Sequence, residues 1–272
     1  MSNRSIGVFD SGIGGLTVVR ELVRELPQES IVYFGDTARV PYGSKSPETV
    51  IRYSQEAAAL LLARDVKLIV IACNTATASA GELLAGTLPV PVVGVIEPGA
   101  RAAAAASGTR RVGVIGTLGT IRSCAYDLAV RRKLAGARVF AQACPLFVPL
   151  VEEGWADHPA ARLVAEEYLQ PLREQDVDVL VLGCTHYPLL RRLISEVMGP
   201  GVQLVDSAVE TAREVRQVLT HAGLLRTSES PPEYRFLASD SPARFREVGR
   251  LFVGELLDGV EHVDPEAYGR PA

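Results

Sequence analysis

The feature that most constrains this chain is an alternation of short, almost unbroken apolar runs with longer segments of helical period. Ser5 to Phe9 (SIGVF), Ser30 to Phe34 (SIVYF), Lys67 to Ala72 (KLIVIA) and Val90 to Val95 (VPVVGV) are rich in β-branched and aromatic residues. Between them, "LTVVRELVREL" and "ETVIRYSQEAAALLLARD" carry apolar residues at helical spacing. A strand with no polar alternation has both faces covered, and the helices between such strands supply the cover. The arrangement that satisfies both patterns is a parallel sheet wound with helices on each side.

The pattern then restarts. Arg111 to Ile115 (RVGVI), Ala137 to Ala141 (ARVFA), Val177 to Leu182 (VDVLVL) and Gly201 to Val205 (GVQLV) form a second set of predicted strands. Helical segments such as "SCAYDLAVRRKLAG" and "HPAARLVAEEYLQPLREQ" separate them. Two stretches of the first half are echoed in the second: "IGVFDSGIGG" by "VGVIGTLGT", and "LIVIACNTA" by "VLVLGCTHY". Gly7 and Gly113 lie 106 residues apart, and Cys73 and Cys184 lie 111 apart. Two similar offsets obtained independently indicate an internal duplication. The expected fold class is α/β, with two pseudo-symmetric, doubly wound parallel-sheet lobes. After the helical segment that follows Asp206, "LLRTSESPPEY" reads as a linker. The strand (Tyr234 to Ala238), helix and short strand (Val260 to Val263) beyond it are too little for a third unit. They are expected to return to the first lobe, giving residues 1–97 plus 207–272 as one lobe and 98–206 as the other.

Ligands in open α/β sheets collect at the carboxyl ends of the strands. That rule brings Asp10-Ser11, Asp36 and Cys73-Asn74-Thr75 to one edge of the first sheet. It brings Gly116-Thr117 and Cys184-Thr185-His186 to the same edge of the second. If the lobes face each other there, one thiol from each points into a shared cleft. A lone cysteine is ordinarily a small buried hydrophobe, but a thiol repeated at the same strand end is hard to explain by packing. Two opposed thiols suit removal of a proton from one face of a carbon and return of a proton to the other. One must then be thiolate and its partner thiol, so each pKa must lie closer to working pH than the free value of roughly 8.5. A helix N-terminus lowers a cysteine's pKa, and both cysteines precede predicted helix starts, with Thr75 and Thr185 as candidate caps. Asp10 stands where it can orient Cys73 or cap the turn that follows, and His186 stands likewise near Cys184. Cys124, in a predicted helix, and Cys144, ending the "ARVFAQA" run, read as structural.

Composition narrows the choices. The net charge of −4 comes from 28 basic and 32 acidic residues with no basic block, so no nucleic-acid partner is expected. No apolar run approaches the roughly 20 residues that span a bilayer, and no signal-peptide core follows Met1. A cytoplasmic protein with reduced thiols and no membrane partner is therefore expected. Four cysteines without a Cys-x-x-Cys, and four histidines, suggest no metal site. "DSGIGG" matches neither G-x-G-x-x-G nor a P-loop, and its acidic residue repels phosphate. It reads instead as a turn whose Ser11 hydroxyl and backbone N–H groups hold a carboxylate. A two-lobe binding protein leaves a thiol at each strand end unexplained, and a redox protein is disfavoured by thiols so far apart in sequence.

Seven motifs in order along the chain, "GVFDSGIGGLTV", "YFGDTARVPYG", "ACNTATA", "GVIEPGA", "VGVIGTLGT", "ACPLFVPLVEEG" and "LGCTHYPLL", carry a family resemblance. Over nearly its whole length the chain resembles the glutamate racemases of the cofactor-independent aspartate/glutamate racemase superfamily. The resemblance implies an active site in the cleft between two α/β lobes and a C-terminal segment returning to the first. It implies interconversion of L- and D-glutamate with no cofactor, supplying D-glutamate for peptidoglycan, by a homodimer. It assigns Cys73 to the α-proton of D-glutamate and Cys184 to that of L-glutamate, with Asp10 assisting the first and His186 and Glu152 the second. The substrate contacts it implies are Asp10, Ser11, Asp36, Tyr42, Gly43, Asn74, Thr75, Thr117, Thr185 and His186. Aspartate racemases tend to carry an acidic residue where this chain has His186, which favours glutamate. The alternative is a related enzyme acting on aspartate, another small acidic amino acid, hydantoins or arylmalonates; one-thiol decarboxylation would leave Cys73 or Cys184 without a task. The long N-terminal extension linked in some bacterial members to activation by a cell-wall precursor is not matched, so that activation is not expected.

Overall fold

The computed structural model describes residues 3–268. In chain order the strands are β1 (Ile6–Asp10), β2 (Ile31–Gly35), β3 (Leu68–Ile71), β4 (Val92–Gly94), β5 (Arg111–Gly116), β6 (Arg138–Ala143), β7 (Val179–Gly183), β8 (Gln203–Asp206), β9 (Tyr234–Ala238) and β10 (Glu261–His262). The helices are α1 (Leu16–Glu25), α2 (Pro47–Leu62), α3 (Asn74–Thr87), α4 (Ile96–Ala106), α5 (Leu118–Arg122), α6 (Ala125–Lys133), α7 (Phe147–Glu152), α8 (Pro159–Arg173), α9 (Arg191–Met198), α10 (Ser207–His221) and α11 (Pro242–Val253). Among the described residues no helix is long and apolar enough to cross a membrane.

The strands form two parallel sheets, ordered β10-β9-β2-β1-β3-β4 and β6-β5-β7-β8. Within the first, β2-β1-β3-β4 maps strand for strand onto the second sheet, so the duplication read from two sequence echoes is repeated in the topology. β1, β2, β3 and β7 are buried at every position, as unbroken apolar runs require when helices cover both faces. β6, by contrast, carries exposed and half-buried residues, because it is an edge strand. In each sheet the chain leaves the first strand for a neighbour on one side and comes back to the other side. That reversal opens a crevice at the carboxyl ends of β1/β3 and of β5/β7.

Local chemistry explains most element ends. α2 starts at Pro47, whose fixed φ suits the first helical position, and Ser46 Oγ accepts from the Thr49 N–H (3.4 Å). α10 starts where the Asp206 carboxylate accepts from the Ala208 N–H (2.9 Å). β4 is shorter than its predicted run, since Pro91 has no N–H to donate and contributes only its carbonyl, to Ile69 (2.9 Å). The helix predicted across "SCAYDLAVRRKLAG" is broken. Cys124 takes a left-handed φ of 56°, so α6 begins only at Ala125 and Cys124 stands exposed at the junction.

The chain leaves the first sheet through α4 and comes back through α10, and these two helices pack on each other. A single apolar core runs from Leu16, Val19 and Leu22 of α1 to Leu180 and Leu182 of β7. The two sheets therefore bury surface in common, and their carboxyl edges are held close.

Candidate active site

A cavity of about 450 Å³ lies between the two crevices. From the first sheet it takes Ser11 and Gly12 after β1, Tyr42 and Gly43 after β2, and Cys73, Asn74 and Thr75 after β3. From the second it takes Thr117 after β5, Glu152 at the end of α7, and Cys184, Thr185 and His186 after β7. Of the residues predicted for the site, only Asp10 and Asp36 do not line it. Its size is within the usual range for small-molecule pockets.

Cys73 is itself the N-cap of α3, and its sulfur accepts from the Ala76 N–H (3.4 Å) and lies 3.7 Å from Ser11 Oγ. The expectation of a lowered pKa fails here. Burial, with the Asp10 charge in support, pushes the Cys73 thiol up to about 12, outweighing the helix N-terminus. Thr75 is not a cap either: its hydroxyl meets Thr117 Oγ1 (2.8 Å) across the cleft and Thr120 Oγ1 (3.3 Å).

Around Cys184 the surroundings differ. No α-helix starts at this thiol, since a short 3₁₀ turn from Tyr187 to Leu190 precedes α9, and Thr185 caps nothing. The Thr185 carbonyl instead accepts from the Thr17 hydroxyl of α1 (2.9 Å). His186 lies between two partners, with Nδ1 3.9 Å from Cys184 Sγ and Nε2 2.9 Å from Glu152 Oε1. Burial works to lower the His186 pKa, but Cys184 and Glu152 together raise it to about 10. The ring is therefore an imidazolium at neutral pH. It fits closely: a Cβ on Gly14 would lie 2.3 Å from Thr185 Oγ1 and 2.4 Å from His186 Nδ1.

The shift fixes a pH dependence. His186 binds its proton more tightly folded than unfolded, where its value is 6.5. Its stabilisation is complete below that value and is lost as the pH rises towards about 10. The Cys73 thiol acts with the same sign, but only above its unfolded value of 9.0. Urea unfolding across this window should show stability falling with pH, and falling less steeply in His186→Asn. An equal slope in the variant would remove His186 from the account.

Asp10 is 1% exposed and stands behind the cavity wall. Its Oδ2 accepts from the Gly12 (3.2 Å) and Gly15 (3.0 Å) N–H groups, so it does cap the turn. Its Oδ1 is buried without a partner, and burial holds its pKa above the usual carboxylate value. It is a neighbour of Cys73 rather than a lining group. Asp36 must be removed from the set of substrate contacts. It is fully buried, with Oδ1 accepting from Ser239 Oγ (2.8 Å) and Oδ2 from Arg39 Nε (2.7 Å) and the Tyr42 hydroxyl. Its place is under Tyr42, holding that ring against the cavity.

The predicted set lacked the apolar part of the wall: Val40 and Pro41 before Tyr42, Leu118, and Pro145, Val148 and Pro149 opposite. The last three belong to the "ACPLFVPLVEEG" motif, which was the available signal. Cys144, also of that motif, is buried with its sulfur near the Gln142 carbonyl (3.7 Å) and is absent from the lining. Among the described residues no cluster of three or more His, Cys, Asp or Glu side chains is arranged to hold a metal ion.

The chain is 58% identical over 264 residues to the glutamate racemase of Geobacter metallireducens, covering 97% of this chain and 98% of that protein. Its fold superposes on the crystal structure of glutamate racemase isoform RacE1 from Bacillus anthracis with a TM-score of 0.94, at 40% identity over 97% of this chain and 98% of the other. The glutamate racemase of Francisella tularensis, solved in complex with D-glutamate, gives a TM-score of 0.92 at 40% identity, covering 98% of this chain and all of that one (100%). The profile of the Asp/Glu/hydantoin racemase family matches residues 6–215, the stretch that holds both crevices and both thiols. By sequence, by fold and by the pair of strand ends that meet at its cavity, the chain belongs to the Asp/Glu/hydantoin racemase family.

Proposed function

We propose that this enzyme interconverts L- and D-glutamate by passing the α-proton between two thiols on opposite faces of Cα. The observation that carries the reading is that Cys73 and Cys184, from equivalent strand ends of two sheets of like topology, line one cavity. The names of the relatives support glutamate as the substrate, and the Francisella complex supports an acidic amino acid as the occupant of such a cavity.

In the L-to-D direction the Cys184 thiolate takes the α-proton, and the C–H electron pair stays on Cα as a carbanion delocalised into the carboxylate. The Cys73 S–H then gives its proton to the opposite face, forming the new C–H bond and leaving Cys73 as thiolate. Exchange with water restores the starting pair, and the reverse reaction runs through the same atoms in the opposite order. The two environments suit this division of labour. The His186 imidazolium, held by Glu152, offers an opposite charge to a Cys184 thiolate, whereas burial keeps Cys73 protonated. The two enantiomers require opposite protonation states of the thiol pair, and D-glutamate is served by the one in which Cys73, beside Asp10, is the thiolate.

Ser11, Asn74, Thr75, Thr117 and Thr185 supply hydroxyl and amide groups for the two carboxylates, while Tyr42, over Asp36, and Gly43 shape the wall. Residues 1–97 with 207–272 form one lobe and 98–206 the other, with the substrate between them. The same reading makes the enzyme a cytoplasmic homodimer that supplies D-glutamate for peptidoglycan and uses no cofactor.

Circular dichroism of the purified protein provides the test. The optical signal of L-glutamate should decay while that of L-aspartate persists, and in deuterated water the D-glutamate formed should carry deuterium at Cα. Decay with L-aspartate alone would transfer the reading to that substrate, and dependence on added pyridoxal phosphate or metal would contradict the two-thiol scheme.

A further inference from the structure

The cavity leaves one buried donor without an acceptor. Asn74 is 2% exposed, and its amide nitrogen Nδ2 has no hydrogen-bond partner in the protein. Its Oδ1 accepts from the hydroxyl of Tyr126 (2.8 Å). Tyr126 belongs to α6, on the second-sheet side of the cleft, and does not line the cavity. It is buried in a slot made by two glycines. A Cβ on Gly183, the residue before Cys184, would lie 3.1 Å from the ring at Cε2, and one on Gly99 of α4 would lie 3.3 Å from the phenol oxygen.

A carboxamide can present either its oxygen or its nitrogen to a neighbour, and the neighbour's chemistry selects which. A phenol fixed in its slot has one proton to give, and it gives that proton to Asn74 Oδ1. The nitrogen is then directed to a different partner. An N–H left unmatched in a buried site is costly, and a substrate carboxylate is the acceptor that the proposed reaction brings there.

We propose that Tyr126 is a positioning residue for racemisation: it locks the Asn74 carboxamide so that Nδ2 is kept for a substrate carboxylate. The inference rests on the reading of Asn74 as a substrate holder. Because Gly183 walls the same slot, Tyr126 also ties a ligand group of the first sheet to the strand end that carries Cys184.

Tyr126→Phe removes the hydroxyl and keeps the ring that the slot encloses. Steady-state racemisation is measured in both directions for Tyr126→Phe, Asn74→Ala and the double variant. Tyr126→Phe should raise KM for L- and D-glutamate about tenfold, as expected for one hydrogen bond to a charged group, and leave kcat within about threefold. Asn74→Ala should raise KM by at least as much, and adding Tyr126→Phe to it should change KM by less than about twofold. A full additional loss in the double variant, or an unchanged KM in Tyr126→Phe, overturns the proposal while Asn74 keeps its role. An unchanged KM in Asn74→Ala overturns the reading of Asn74, and this proposal with it.

Discussion

Cys73→Ser and Cys184→Ser should each lower glutamate racemisation by about a thousandfold or more, a loss of about 4 kcal/mol of transition-state stabilisation. A serine hydroxyl fills nearly the same space but is a much weaker acid, so it serves neither as base nor as ready proton donor. Isotope exchange separates the two variants. With Cys184 intact and Cys73 replaced, L-glutamate in deuterated water should exchange its α-hydrogen without inversion, through the His186–Glu152 side of the cavity. D-Glutamate should stay unlabelled. With Cys73 intact and Cys184 replaced the preference should reverse. Full racemase activity in either variant, or exchange of both enantiomers in the same variant, would rule out a two-base mechanism on these thiols.

Gly14→Ala is expected to lower kcat/KM by about a hundredfold, although the residue carries no chemistry. The new Cβ would lie 2.3 Å from Thr185 Oγ1 and 2.4–2.5 Å from the His186 ring, well inside contact distance. Rotation of the Thr185 hydroxyl relieves only the first clash. The His186 ring is held by Glu152 at one nitrogen and faces Cys184 at the other, and the Thr185 carbonyl is tied to Thr17. The strain therefore moves the Cys184 strand end away from Asp10 and Cys73. It also destabilises the fold by about 1–3 kcal/mol, the usual cost of overpacking. Gly86→Ala provides the contrast: nothing lies within 4 Å of its Cβ, and it sits near the end of α3. That substitution should leave activity unchanged and stabilise by about 0.5–1 kcal/mol. Parent-like kcat/KM in Gly14→Ala would mean that the strand end gives way freely.

The two-sheet architecture was legible because buried parallel strands leave unbroken apolar runs that survive any detail of packing. The thiols were legible because a duplicated strand end repeats its chemistry at a nearly constant offset. Asp36 misled for a physical reason. It stands at a strand's carboxyl end as Asp10 does, and what takes it out of the cavity is Ser239, which reaches it from just beyond β9, far along the chain. The caps misled because Cys73 itself begins α3, which moves Thr75 inside the first turn and frees its hydroxyl for Thr117. Tyr126 had no local signature at all: its slot is made by glycines from two other elements. The apolar wall of Val148 and Pro149 lay inside a motif that was recognised, but valine and proline on a short helix look the same in sequence whether they face ligand or core.

The return of β9 to the first sheet has a consequence for synthesis on the ribosome. β2 pairs with β1 on one side and with β9 on the other, Ile31 lying opposite Tyr234. At about 5–20 residues per second, roughly 10–40 s separate the appearance of those two partners. Throughout that delay one edge of β2 is an open row of N–H and C=O groups, the kind of edge that recruits foreign strands. The second sheet has no such wait, because β5, β6, β7 and β8 follow one another in a continuous stretch. The nascent chain thus completes the sheet that carries Cys184 first. The sheet that carries Cys73 is finished last, and until then it is the part of the molecule most in need of protection by chaperones.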